Sequence, residues 1–278
     1  MDKIKAPIGI FDSGVGGLSV LRAIHRLLPA EGLLYLADQA HVPYGPRPLE
    51  EVRGFAHAIT QFLIQQQAKL IVVACNAASA AALHYLRREF PDIPFVGMEP
   101  AVKPAAEHTQ SGRVGVLATP VTFQGELYAS VVERFANGVE IFPATCPGLV
   151  EQIEAGAPNS SATRTILETA LQPMLAQGID TIVLGCTHYP FVIPLIQEIV
   201  GPGVRVIDPA PAVAQQVQRV LANRQALNPP ASGLPFQQTV RLLTTGNPTN
   251  LERLLPLYLN ETSPVEQLCW QAGILDFC

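Results

Sequence analysis

Short, nearly continuous apolar runs recur along this chain: IGIF (8–11), LLYLA (33–37), LIVVA (70–74), PFVG (94–97), RVGVLA (113–118), VEIF (139–142), TIVLG (181–185) and VRVI (204–207). A strand covered on one face alternates apolar with polar residues. A strand covered on both faces, as in a parallel sheet, reads as an unbroken apolar stretch. Between the runs lie longer segments of helical spacing, such as Leu18, Leu21, Ile24, Leu27 and Leu28 before Pro29. Residues 49–67, 77–90, 121–135, 161–176 and 209–223 follow the same pattern. This alternation predicts an α/β fold with mostly parallel sheets flanked by helices.

The alternation repeats at a larger scale. IGIFDS (8–13) is echoed by VGVLAT (114–119), an apolar strand ending in a hydroxyl. LIVVACN (70–76) is echoed by TIVLGCT (181–187), an apolar strand running into a cysteine and then a hydrogen-bonding residue. The expectation is two pseudo-symmetric lobes, residues 1–97 plus 209–278 and residues 98–208, with the active site in the interlobe cleft. Segment 240–259 has no counterpart in the echo and is assigned to the first lobe. Ligands of such sheets bind beyond the carboxyl ends of the strands, so Cys75 and Cys186 would face one crevice.

Composition narrows the partners. With 48% apolar and 15% charged residues among 278, the chain is expected to fill a core rather than stay disordered. A net charge of −5 without a basic run argues against nucleic acid. No apolar stretch approaches the ~18 residues of a membrane span. The start, MDKIKAPIGIFDSG, has no apolar export signal, so a cytoplasmic location is expected. The cysteines number five, an odd count without a C-x-x-C pair. Free thiols are therefore expected, with neither a disulfide framework nor a metal site.

The FDSGVGG segment (11–17) opens a helical stretch and allows two readings. It could cradle a dinucleotide, with Asp38 holding a ribose, although Ser19 stands where a third glycine belongs. Alternatively Asp12 and Ser13 act through their side chains while the glycines let the backbone approach a small anion. HVPYGPRP (41–48) is either a rigid connection or a site wall through Tyr44 and Gly45. His188, two residues past Cys186, is a proton partner for that thiol. Glu154 and Glu151 cannot be separated by spacing, and Cys146, Cys269 and Cys278 read as core filler. Two thiols facing one cleft suit inversion of a stereocentre, one removing a proton as the other returns one. A thiol with pKa near ~8.5 needs a helper for this, and Asp12 could serve Cys75. Lys3, Lys5, Lys69 and Lys103 lie in no strand-end motif for a Schiff base, so no cofactor is expected.

DSGVGGLSVL, PYGPRP, CNAAS, ATPVTF and GCTHYP, in this order, strongly resemble the glutamate racemases of the cofactor-independent aspartate/glutamate racemase superfamily, from about residue 7 to about residue 259. The resemblance implies interconversion of L- and D-glutamate, supply of D-glutamate for bacterial peptidoglycan, and a homodimer. It implies that Cys75 is the base toward D-glutamate and Cys186 toward L-glutamate. Asp12 would assist the first, and His188 and Glu154 the second. Glu154 is preferred to Glu151 because the family's acid precedes a small residue and glycine, here EAG. Implied substrate contacts are Ser13, Pro43, Tyr44, Gly45, Asn76, Ala77, Thr119, Thr122 and Thr187. Two departures stand out: Ala77 replaces the family's threonine in CNTAS, and ADQAHVPYG stands for the usual GDTAR-PYG. A lost hydrogen bond to a charged group costs about 1.5–3 kcal/mol unless another donor replaces it. Racemisation of aspartate or another amino acid is the alternative. More remote are a dinucleotide-dependent oxidoreductase and a non-catalytic amino-acid-binding protein.

Overall fold

The computed structural model describes residues 6–135, 138–229 and 235–278. Lys3, Lys5 and the first residues of the segment read for an export signal lie outside them. In chain order the strands are β1 (Ile8–Asp12), β2 (Leu33–Ala37), β3 (Leu70–Val73), β4 (Phe95–Gly97), β5 (Arg113–Ala118), β6 (Glu140–Ala144), β7 (Thr181–Gly185), β8 (Arg205–Ile207), β9 (Val240–Thr244), β10 (Val265–Gln271) and β11 (Ile274–Phe277). They form two sheets, ordered β11-β10-β9-β2-β1-β3-β4 and β6-β5-β7-β8. Every pairing is parallel except β10 with β11. The α/β expectation therefore holds. Its cause is visible in burial: β1, β2, β3 and β7 are buried at every residue, as unbroken apolar runs require.

Helices cover both faces of the larger sheet. Helix Leu18–Leu27 packs on helix Ala210–Asn223, and helix Leu49–Gln65 packs on helix Asn76–Glu89. One apolar cluster joins Ile10 and Leu18 beside the larger sheet to Ile153, Ile182 and Leu184 beside the smaller. In each sheet two neighbouring strands, β1 with β3 and β5 with β7, end at the positions of the sequence echo.

Several details differ from expectation. The stretch 121–135 is two helices, Pro120–Gln124 and Glu126–Phe135, broken at Gly125. A Cβ on Gly125 would lie 2.5 Å from the Ala80 Cβ, so helix contact fixes the break. Short helices Val102–His108 and Leu149–Glu154 and the β10–β11 hairpin lay outside the sequence patterns. The free-thiol expectation holds for Cys75, Cys146 and Cys186 but fails for Cys269 and Cys278, which are disulfide-bonded. The cause is local. Cys269 pairs across the hairpin with Asp276, which puts Cys278 diagonally on the same face with Cα atoms 5.1 Å apart. A count of cysteines cannot register that proximity.

Candidate active site

Strand β1 ends in Asp12, fully buried, whose Oδ2 accepts the Gly17 N–H at 2.6 Å. Thr187 Oγ1 lies 3.4 Å from its other oxygen. Burial raises the Asp12 pKa above the ordinary carboxyl value, against opposing pulls from His188, Cys75 and backbone N–H groups. A raised pKa makes this carboxylate a stronger proton acceptor than a free one.

The loop after Asp12 is tight because two side chains crowd it. A Cβ on Gly14 would fall 1.9 Å from Glu154 Oε1, and one on Gly16 would fall 2.4 Å from His188 Nδ1. Val15 N–H donates to Glu154 Oε1 at 2.7 Å. The glycines thus admit side chains, and the space a phosphate cradle needs is filled. Asp38 is equally occupied: it accepts from Tyr44 Oη (2.6 Å), Thr245 Oγ1 (2.7 Å) and Trp270 Nε1 (2.8 Å), with His41 Nδ1 at 2.9 Å. The dinucleotide reading fails on both counts.

Cys75 follows β3 and caps helix Asn76–Glu89, its Sγ accepting the Ala78 N–H at 3.5 Å. Burial, and then the Asp12 charge, push its thiol pKa well up, while the helix N–H pulls the other way. Beside it Asn76 is buried with neither amide atom bonded, a costly arrangement that marks a surface built to meet a polar group.

Cys186 follows β7, its Sγ 3.9 Å from His188 Nδ1. His188 Nε2 lies 2.7 Å from Glu154 Oε1, and Gln39 Nε2 donates to Glu154 Oε2 at 3.0 Å. Burial alone would lower the His188 pKa, but Cys186 and Glu154 outweigh it and hold the ring well above its ordinary value. The imidazole thus sits between the two, Nδ1 toward the Cys186 sulfur and Nε2 toward the Glu154 carboxylate. Glu151 lines a separate cavity of about 170 Å³, so contact with His188 distinguishes the two glutamates. Cys146 lines that neighbouring cavity too, its thiol pushed up to about 12 by burial.

Cys75 and Cys186, two of the three free thiols, open on one small cavity where the two sheets meet. Its walls hold Ser13, Pro43, Tyr44, Gly45, Cys75, Asn76, Ala77, Thr119, Cys186, Thr187 and His188. Asp12, Thr122 and Glu154 stand behind this wall, Thr122 through a 3.0 Å hydroxyl contact with Thr119. Sequence reasoning missed Val150, which completes the lining, and Gln39 and Val15 N–H, which hold Glu154. Val150 carries no signal beyond an ordinary apolar position. The cavity measures about 20 Å³, room for about one water. Among the described residues no cluster of three or more His, Cys, Asp or Glu side chains is arranged to hold a metal, and no helix is long and apolar enough to cross a membrane.

Residues 8–217 match the family described as Asp/Glu/Hydantoin racemase. A glutamate racemase of Pseudomonas paraeruginosa is 50% identical over 263 residues, 95% of this chain and 97% of that one. A glutamate racemase isoform of Bacillus anthracis superposes with a TM-score of 0.83 at 33% identity, over 97% of this chain and 98% of that one. The Escherichia coli glutamate racemase in complex with L-glutamate and the activator UDP-MurNAc-Ala gives a TM-score of 0.80 at 33% identity, over 95% and 98%.

Proposed function

The chain belongs to the Asp/Glu/Hydantoin racemase family, and from that premise we propose that it interconverts L- and D-glutamate without a cofactor, by proton transfer between Cα and two thiols. The observation that carries this reading is that Cys75 and Cys186 reach one cavity from the strand ends of different sheets. Toward L-glutamate, the Cys75 thiol gives its proton to Asp12 and the thiolate removes the α-proton of D-glutamate. The Cys186 thiol delivers a proton to the opposite face, and His188, held charged beside Glu154, replaces it. The reverse direction exchanges the roles. The first N–H groups of helix Asn76–Glu89 have no intrahelical acceptor and suit the substrate carboxylate, as does the unbonded Asn76 amide. Stabilising charge at the planar intermediate is the largest demand on such a site.

Residues 1–97 with 209–278 and residues 98–208 serve as the two lobes. On this reading the enzyme supplies D-glutamate for bacterial peptidoglycan from the cytoplasm and works as a homodimer, expectations carried by the family resemblance.

The test is incubation in heavy water with glutamate and, in parallel, aspartate. Deuterium should enter Cα of glutamate as optical rotation decays with no added cofactor. Replacing either cysteine by serine should lower the rate by about 10²–10⁴-fold, as loss of a proton carrier does. Full activity without Cys186 would end the two-thiol scheme, faster exchange of aspartate would reassign the substrate, and binding without exchange would favour a non-catalytic receptor.

A further inference from the structure

One wall of the cavity is built by residues 43–45, in the loop between β2 and helix Leu49–Gln65. This wall touches the other sheet's loops. Val121 N–H donates to the Gly45 carbonyl at 3.2 Å, and a Cβ on Gly45 would lie 2.7 Å from the Thr119 Cβ. Tyr44 belongs to the wall, and its hydroxyl donates to Asp38 at 2.6 Å.

Asp38 is fully buried and draws donors from three separate segments. Tyr44 and His41 come from the wall loop, Thr245 follows β9, and Trp270 lies on β10. Trp270 also packs across the loop, its ring centroid 5.8 Å from Phe55 and 5.0 Å from His41. Its neighbour Cys269 ties β10 to the chain's last residue through the disulfide. The C-terminal hairpin thus stays outside the cavity lining yet reaches the wall loop through the Asp38 carboxylate and through ring contacts with His41 and Phe55.

We propose that Trp270 is a positioning residue for glutamate binding: its indole N–H, acting through the Asp38 carboxylate, fixes Tyr44 and with it the wall at residues 43–45. The proposal rests on the reading that this cavity takes glutamate. Glutamate filling a cavity with room for about one water would press on that wall, and a shift of the wall would reach Trp270 through Asp38. As the chain's one tryptophan, Trp270 reports on it directly.

Two single variants and their combination test this. Trp270→Phe removes the indole N–H while keeping an aromatic ring beside Phe55; Tyr44→Phe keeps the ring and removes only the O–H. Each should raise KM for glutamate about five- to tenfold with kcat within about twofold, a pattern that loss of folded protein does not produce. The double variant should be no worse than the poorer single, since both break one link. Glutamate should shift the tryptophan emission of the wild type, and saturating glutamate should leave the emission of Tyr44→Phe unmoved. Unchanged KM in either single variant, multiplied penalties in the double, or equal emission shifts in wild type and Tyr44→Phe overturn the proposal. A wild type that neither binds nor racemises glutamate removes both this inference and the functional reading. Normal wild-type turnover with unaffected variants removes the inference alone.

Discussion

At the scale of residues, the legible features were those whose chemistry is odd for their place. A cysteine at the polar end of a buried strand, twice, is unusual, and both thiols prove to line one cavity. The use of the glycines in FDSGVGG was not legible. The constraint on Gly14 and Gly16 comes from Glu154 and His188, more than a hundred positions away, and a sequence window cannot see that crowding. Ala77 sits on the cavity wall near Asn76. Restoring a hydroxyl by Ala77→Thr should lower KM for glutamate by up to about tenfold, measured by initial rates, because one more donor would face the carboxylate. His188 offers a pH test. Its folded pKa is raised, so its contribution to stability is whole below the unfolded value near ~6.5 and drains away as pH rises through the higher folded value. Urea midpoints of wild type and His188→Gln should therefore differ most below the unfolded value near ~6.5 and converge as pH rises through the raised folded value.

At the scale of elements, periodicity located the long helices except Pro248–Tyr258, and all of β1 to β8, because burial on both faces leaves a pattern that needs no partner to be read. The C-terminal hairpin escaped because β10 is half exposed and lacks such a run. The approach to β3 is anchored by an ion pair rather than by apolar residues alone. Lys69 Nζ lies 2.6 Å from Glu31 Oε2, both side chains nearly buried, and it also donates to the Ala226 carbonyl at 2.8 Å. Removing one member of such a pair strands the other. Lys69→Met is expected to cost about 3–5 kcal/mol in chemical denaturation. The double change Lys69→Met with Glu31→Leu should recover much of that, since no buried charge then remains.

At the scale of the whole molecule, the echo between the two halves of the chain mapped onto two sheets whose carboxyl ends converge, and the convergence makes the site. The cavity's volume has a consequence for the reaction's isotopic memory. Glutamate has ten non-hydrogen atoms, more than a space for about one water accepts, so on the proposed reading the walls contributed by the two sheets would part for its arrival and departure. Parting them carries each sulfur away from the other, because each belongs to its own sheet. On that reading solvent hydrons would reload the thiols between visits, and the planar intermediate would form with the walls closed around it. In the first moments of reaction in heavy water, mass spectrometry of separated enantiomers should find deuterium in the newly formed one and protium still in the one supplied. Handedness and isotope would change together, once per closure.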